Sequence, residues 1–220
     1  MKLSRFLKGP KVNRVIKFFV FADLIFFAGW GFVSPIFSIF IIEEIKDATV
    51  VAVGISAAVY WLSRSLVQPF IANAIDKRKG EKDDFYVLML GLILAGVSAF
   101  LFTLVETLPQ LYALQVVHGV SLGAYYVSWT SIFSRHLDKD RPAFDWSFDN
   151  STIGIAVAVA SFGGGLLAGT FGFDVTFMIA GWLSIISAGV IFLVPDLVLP
   201  IPHHVSAPAK VERRRPPTTH

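Results

Sequence analysis

Six long apolar runs crowd these 220 residues and limit what the chain can fold into more than any other feature. They are Phe18 to Ile42, Ala48 to Ile75, Phe85 to Val105, Leu111 to Phe133, Ser151 to Phe173 and Val175 to Val194. Each is long enough to cross about 30 Å of hydrocarbon as a helix, which takes roughly 17 residues or more. The expected fold is therefore all-α: a polytopic membrane protein of six transmembrane helices. Its segments divide into a basic stretch 1–17, a membrane domain 18–194 and a tail 195–220, where Pro, His and basic residues follow no apolar period and disorder is expected.

Charge placement orients the bundle. Of nineteen Lys and Arg residues, all but Lys46 and Arg64 fall before the first run, between runs two and three, after run four, or in the tail. If the runs alternate across a bilayer, these segments share one side, and the positive-inside rule makes that side cytoplasmic, with both termini inside. The opposite loops are short and acidic: Glu43, Glu44, Asp47, Glu106 and Asp174 against Lys46 alone. The plasma (inner) membrane is the expected location.

With 55% hydrophobic residues the chain exceeds what a soluble core requires. A net charge of +3 raises nucleic acid as a partner, but the positive charges hug the membrane ends, so anionic lipid headgroups are their expected neighbours. The absence of Cys excludes disulfides and thiol chemistry. A basic segment before an apolar run mimics a signal peptide, but the run is too long and lacks a small-residue cleavage site, so a retained first span is expected. On the inner side, Ser134 to Asn150 is expected to lie along the membrane surface through Phe144, Trp146 and Phe148. His203 and His204 in the tail read as solvated, so no metal and no cofactor is assigned.

Polar residues inside spans are informative, because a charge near the bilayer centre costs about 2.5–3.5 kcal/mol on insertion scales. In the first run Asp23, Trp30, Ser34 and Ser38 share a face; in the second, Ser56, Tyr60, Arg64 and Gln68 do; in the fourth, Gln115, His118, Ser121, Tyr125 and Ser128 do. Spans one, two and four are thus expected to surround a polar interior, with spans three and six toward lipid. Asp23 and Arg64, roughly 9 and 16 Å deep at about 1.5 Å per residue, invite pairing. Either the pair fastens two helices, or Asp23 exchanges protons or holds a cation while Arg64 tunes it or holds an anion. His118 is a third coupling candidate. In span five Gly154, Gly163, Gly164 and Gly165 allow a close backbone approach. The G-x-S-x-G string Gly119–Gly123 is no nucleophile elbow, because that motif needs a strand-to-helix turn, so no enzyme activity is assigned.

Ala72-Asn73-Ala74-Ile75-Asp76-Lys77-Arg78-Lys79-Gly80-Glu81-Lys82, between spans two and three, resembles the G-x-x-x-D-R-x-G-R-R loop of the major facilitator superfamily. Ala72 stands for the first Gly, and Gly80 arrives one place late. Gly119 and Gly123 resemble a span-four region of that family, and Gly154 and Gly163 its Gly-rich span five without the Gly-Pro pair. The resemblance covers about Val15 to Val194, the amino-terminal six-helix half of a family that normally has twelve spans. It implies a half-size secondary transporter moving a small solute by alternating access, with Asp76, Lys77 and Lys82 latching the cytoplasmic helix ends. Protons are the candidate coupling ion, and a homodimer or a second half-transporter would rebuild twelve helices. Asp23, Arg64 and His118 would serve coupling, and Trp30, Ser34, Tyr60, Gln68, Gln115 and Tyr125 would line the cavity. No G-x-x-x-x-G-K loop is present, which leaves gradients as the energy source. The rival expectation is a non-transporting membrane scaffold, or a half that works beside a different chain.

Overall fold

The computed structural model describes residues 13–77 and 82–193. The basic segment up to residue 12, the loop residues Arg78 to Glu81 and the tail from residue 194 lie outside the described residues, and the expectations placed on them lie outside it too. Seven helices follow in chain order: α1 (Arg14–Val33), α2 (Phe37–Glu44), α3 (Val50–Asp76), α4 (Lys82–Phe102), α5 (Leu108–His136), α6 (Pro142–Phe171) and α7 (Phe173–Phe192). Five of them, α1, α3, α4, α6 and α7, are long and apolar enough to cross a membrane. The fourth apolar run forms α5, whose 29 residues carry the Gln115-to-Ser128 polar stripe and pack between α3 and α4.

The helix starts carry their own signals. The Asn13 side chain accepts from Val15 N–H, 3.1 Å away, and caps α1. Thr107 and Gln110 form a capping box at α5, and Pro142 opens α6 in its first turn, where its missing N–H costs nothing.

Two departures from the apolar runs have clear causes. The first run is not one helix, because Pro35 has no N–H for the carbonyl of Gly31 and its ring crowds that carbonyl. The chain turns through Ser34 to Ile36 and resumes as α2. The Gly31 carbonyl is met instead from outside its own helix, by the Ser161 hydroxyl of α6 at 3.2 Å. The second departure is α6, which starts nine residues before the apolar run (Pro142 against Ser151). Ser134 to Asn150 is therefore mostly helix rather than a surface-lying loop. Trp146 turns inward onto Trp129 and Phe133, with ring centroids 5.6 and 5.0 Å away.

The helices form a curved row in the order α3, α5, α4, α7, α1, α6, with α1 and α5 touching across the concave side. This order corrects the expectation that spans three and six face lipid most. Half of the span in α4 and 44% of that in α7 is buried, against 11% in α3 and in α6, which stand at the two ends of the row. Small residues let α4 and α7 sink between their neighbours: a Cβ on Gly91 would come within 2.7 Å of Tyr125 N, and one on Gly96 within 3.0 Å of the Gly181 carbonyl oxygen. Their hydroxyls are satisfied by backbone, Ser98 and Ser184 each by the carbonyl four residues back and Ser187 by Ala22 of α1. A polar residue in these helices is thus no sign of a polar channel.

Glycine also sets the two outer crossings. A Cβ on Gly119 would lie 2.6 Å from the Tyr60 carbonyl oxygen, which draws α5 onto α3. One on Gly164 would strike the Phe32 backbone, which draws α6 onto α1. Gly163 meets the Phe32 ring, whereas Gly154 and Gly165 face open space.

Gly164→Ala is expected to cost about 1–3 kcal/mol through overpacking and to lower the thermal midpoint in detergent. Gly165→Ala is expected to hold or raise it, since Ala is the better helix former by about 1 kcal/mol. Equal midpoints for the two variants would mean that α1 and α6 are not in backbone contact.

Candidate functional site

A cavity of about 420 Å³ opens between α1, α2, α3 and α5, with Val157 of α6 at its rim. Trp30, Ser34, Tyr60, Gln115 and His118, named from sequence, all line it, together with Ser38 and Ser56. Gln115 Nε2 donates to Ser56 Oγ at 2.7 Å, a buried bond that ties α5 to α3 on the cavity wall. The His118 ring lies between Trp30, 4.1 Å away and tilted, and Tyr60, 5.3 Å away and stacked. His118 Nδ1 and Trp30 Nε1 are buried with no hydrogen-bond partner. Both residues line the cavity, so polarity left unmet within the protein lies inside its wall.

Arg64 adjoins this cavity rather than lining it. Its guanidinium sits over the rings of Tyr126 (3.8 Å) and Trp61 (4.8 Å), and Nη1 donates to the Tyr60 hydroxyl at 3.3 Å. All three neighbours line the cavity. A second cavity of about 520 Å³ lies toward the other end of α3 and α5, lined by Gln68 and Asp76 among others, and Tyr126 borders both. Gln68 is thus separated from the other cavity candidates by the Arg64–Tyr126 contact.

Asp23 is elsewhere. It is buried at 2% exposure, and its Oδ1 accepts from the Tyr125 hydroxyl at 2.5 Å. Trp129 and Asp149 lie beside the same carboxyl. Asp149 Oδ1 and Trp129 Nε1 are themselves buried without a hydrogen-bond partner. Among the described residues no ion pair joins Asp23 to Arg64, which corrects the pairing expected from their depths. Each charge is instead met by aromatic side chains of α5: Tyr125 hydrogen-bonds the acid, and its neighbour Tyr126 lies under the base. Tyr125, expected in the cavity, faces Asp23, and Tyr126 takes its place on the cavity wall.

At the end of the bundle where α3 stops and α4 starts, Asp76, Lys77 and Lys82 are exposed. The firm ionic contact there was not foreseen: Arg135 Nη1 of α5 donates to the fully buried Asp84 of α4 at 2.7 Å, and Nη2 to Ser131 at 2.9 Å. Asp149 was also missed. The signal for it was helical spacing, since Asp145 and Asp149 stand four apart on either side of the inward Trp146. The Gly119–Gly123 string is mid-helix, with the Ser121 hydroxyl donating to the Val117 carbonyl at 2.7 Å. Among the described residues no three His, Cys, Asp or Glu side chains gather as metal ligands would.

With this geometry in place, likeness to known proteins bears on it. The sequence pattern of the Major Facilitator Superfamily matches residues 19–219. The chain is 24% identical over 160 residues to an uncharacterised MFS-type transporter of Methanocaldococcus jannaschii, covering 73% of this chain and 40% of that protein. It is 25% identical over 178 residues to the quinolone resistance protein NorA of Staphylococcus aureus, covering 80% of this chain and 44% of NorA. The chain thus spans less than half the length of these curated relatives.

The Asp23–Tyr125 bond generates a test of its own. Tyr125→Phe and Asp23→Asn are each expected to lower the thermal midpoint in detergent, and the double variant to fall short of their sum. The expected coupling energy is about 1 kcal/mol or more, as for a buried hydrogen bond to a charged or strongly polar group. Strict additivity would remove this contact from the account of the site.

Proposed function

The chain belongs to the Major Facilitator Superfamily, and from that premise we propose that it is a six-helix half of a secondary transporter that moves a small solute by alternating access. The observation that carries this reading is the cavity of about 420 Å³, walled by three or more helices and holding two buried unmet polar atoms, His118 Nδ1 and Trp30 Nε1. A scaffold would have no use for such a space, and its size is within the range of small-molecule sites, about 300–1,000 Å³.

In this reading Asp23 exchanges the coupling proton. Its carboxyl is buried, hydrogen-bonded by Tyr125 and faced by the second buried carboxyl of Asp149, so a change in its charge alters contacts on α1, α5 and α6 together. Arg64 and His118 serve the solute side, and Asp76, Lys77 and Lys82 serve the gate at the basic end. Both termini and the basic loops lie on the cytoplasmic side of the plasma membrane, against anionic headgroups.

One bundle encloses only one side of a pathway. Its least covered helices, α3 and α6, present Ile55, Leu62, Leu66 and Phe70, and Ile155, Val159, Phe162 and Leu166, at the two ends of the row. Two copies inserted in the same orientation can meet along both edges about an axis normal to the membrane, as the parallel halves of this superfamily do. The same apolar edges would serve a second reading, in which a different six-helix bundle takes the place of the second copy.

Native mass spectrometry from lipid nanodiscs distinguishes the two: a persistent dimer is expected, and a strict monomer at every protein-to-lipid ratio would transfer the reading to a different partner. In proteoliposomes of the active assembly, Asp23→Asn is expected to abolish pH-driven transport while the variant stays folded. Undiminished pH-driven flux in that variant would remove Asp23 as the coupling group.

A further inference from the structure

The aromatic box and the lone cation at its edge identify the kind of solute. Rings of Trp30, Tyr60, Trp61 and Tyr126 wall the cavity, and such a box by itself suits a cationic ligand held over π-faces. Here, however, two of the rings already carry a cation on one face. Arg64 occupies Tyr126 and Trp61 and donates to the Tyr60 hydroxyl. No carboxylate pairs with it among the described residues, and the nearby acids belong to another place: Asp23 and Asp149 are buried together, and neither lines the cavity. The fixed charge nearest this cavity is therefore positive, set behind the Tyr60, Trp61 and Tyr126 rings of its wall.

One unmet atom in the wall has the same sign. Trp30 Nε1 can only donate, and it is buried on the cavity wall without an acceptor. Trp30, His118, Tyr60 and Arg64 follow one another in contact, so an orphan N–H donor and a guanidinium mark two ends of one wall. A ligand drawn to that end carries acceptor oxygens, and a planar acid group matches the guanidinium fork best. Most of the remaining surface is apolar or aromatic, with Ser34, Ser38, Ser56 and Gln115 as polar points, which suits a flat, mainly apolar body.

We infer that this cavity binds an aromatic carboxylate, its acid group drawn to Arg64 and its rings held among Trp30, Tyr60, Trp61 and Tyr126. The inference rests on the reading of the cavity as a solute site and narrows it to organic anions.

Titration calorimetry of the full chain in lipid nanodiscs, with empty nanodiscs as the blank, tests this with three probes of one shape: 2-naphthoate, 2-naphthamide and 2-naphthylmethylammonium. The carboxylate is expected to bind at least tenfold more tightly than the amide, and the ammonium ion more weakly than either. Arg64→Gln is expected to level the carboxylate with the amide. Arg64→Lys, which keeps the charge and guards against a merely misfolded variant, is expected to retain most of the preference. Binding that favours the ammonium ion, or a carboxylate preference unchanged by Arg64→Gln, would overturn the assignment to anions and leave the cavity a solute site. Failure of all three probes to bind the native chain would remove the solute site itself, and the anion assignment with it.

Discussion

Backbone lying against backbone is the contact on which this bundle depends. Between helices in lipid there is little hydrophobic drive, because the tails are as apolar as the side chains, so association rests on close packing and on hydrogen bonds. Gly119 and Gly123 bring α5 onto α3 at Tyr60 and Arg64, and Gly31 and Gly164 bring α1 onto α6 at Val157 and Phe32. These crossings fix where everything else sits. The first delivers Tyr60 and Arg64 of α3 beside His118 and Tyr126 of α5, and the second sets Asp149 of α6 beside Asp23 of α1. With larger residues at these points the helices would stand apart, and neither constellation would form.

The polar interior is divided by sign, and adjacent residues of α5 make the division. Tyr125 serves the acid side, Tyr126 the basic side, with ring centroids 5.1 Å apart. Phe27 of α1 packs against both. Because successive residues of a helix point about 100° apart, one turn of α5 holds two opposite environments without any salt bridge between them. Rotation of α5 relative to α1 and α3 would disturb both at once, which gives the acid side and the basic side a common element.

Much of this was legible in the sequence. The apolar runs gave the helices, and four-residue polar spacing picked out Trp30, Ser34, Tyr60, Gln115 and His118 as one wall. What it did not give was rotation and pairing. Depth along the membrane made Asp23 and Arg64 look like partners, but depth says nothing about azimuth, and each found an aromatic neighbour first. Tyr125 rather than Tyr126 was expected on the cavity wall for the same reason. Hydroxyls misled in the other direction: Ser98, Ser184 and Ser187 are satisfied by carbonyls, so a sparse polar pattern in α4 and α7 did not make them the most exposed helices. Asp84 and Asp149 were overlooked because both lie where an apolar run fades, although the helices continue through them.

The interruption at Pro35 has a mechanical meaning. Bending a helix usually costs an internal hydrogen bond, and at Pro35 that bond is already absent. The Gly31 carbonyl that a continuous helix would have employed is met sideways, by a hydroxyl of α6 at 3.2 Å, long for an O–H···O bond. The terminal eight residues of the first span, α2, are therefore set off from α1 and are held by their own packing, Phe40 against Phe173 and Phe177. Its inner face carries Ile41, on the wall of the cavity, so the break at Pro35 divides one wall of that space between two separately held helices, α2 and the α1 that carries Asp23.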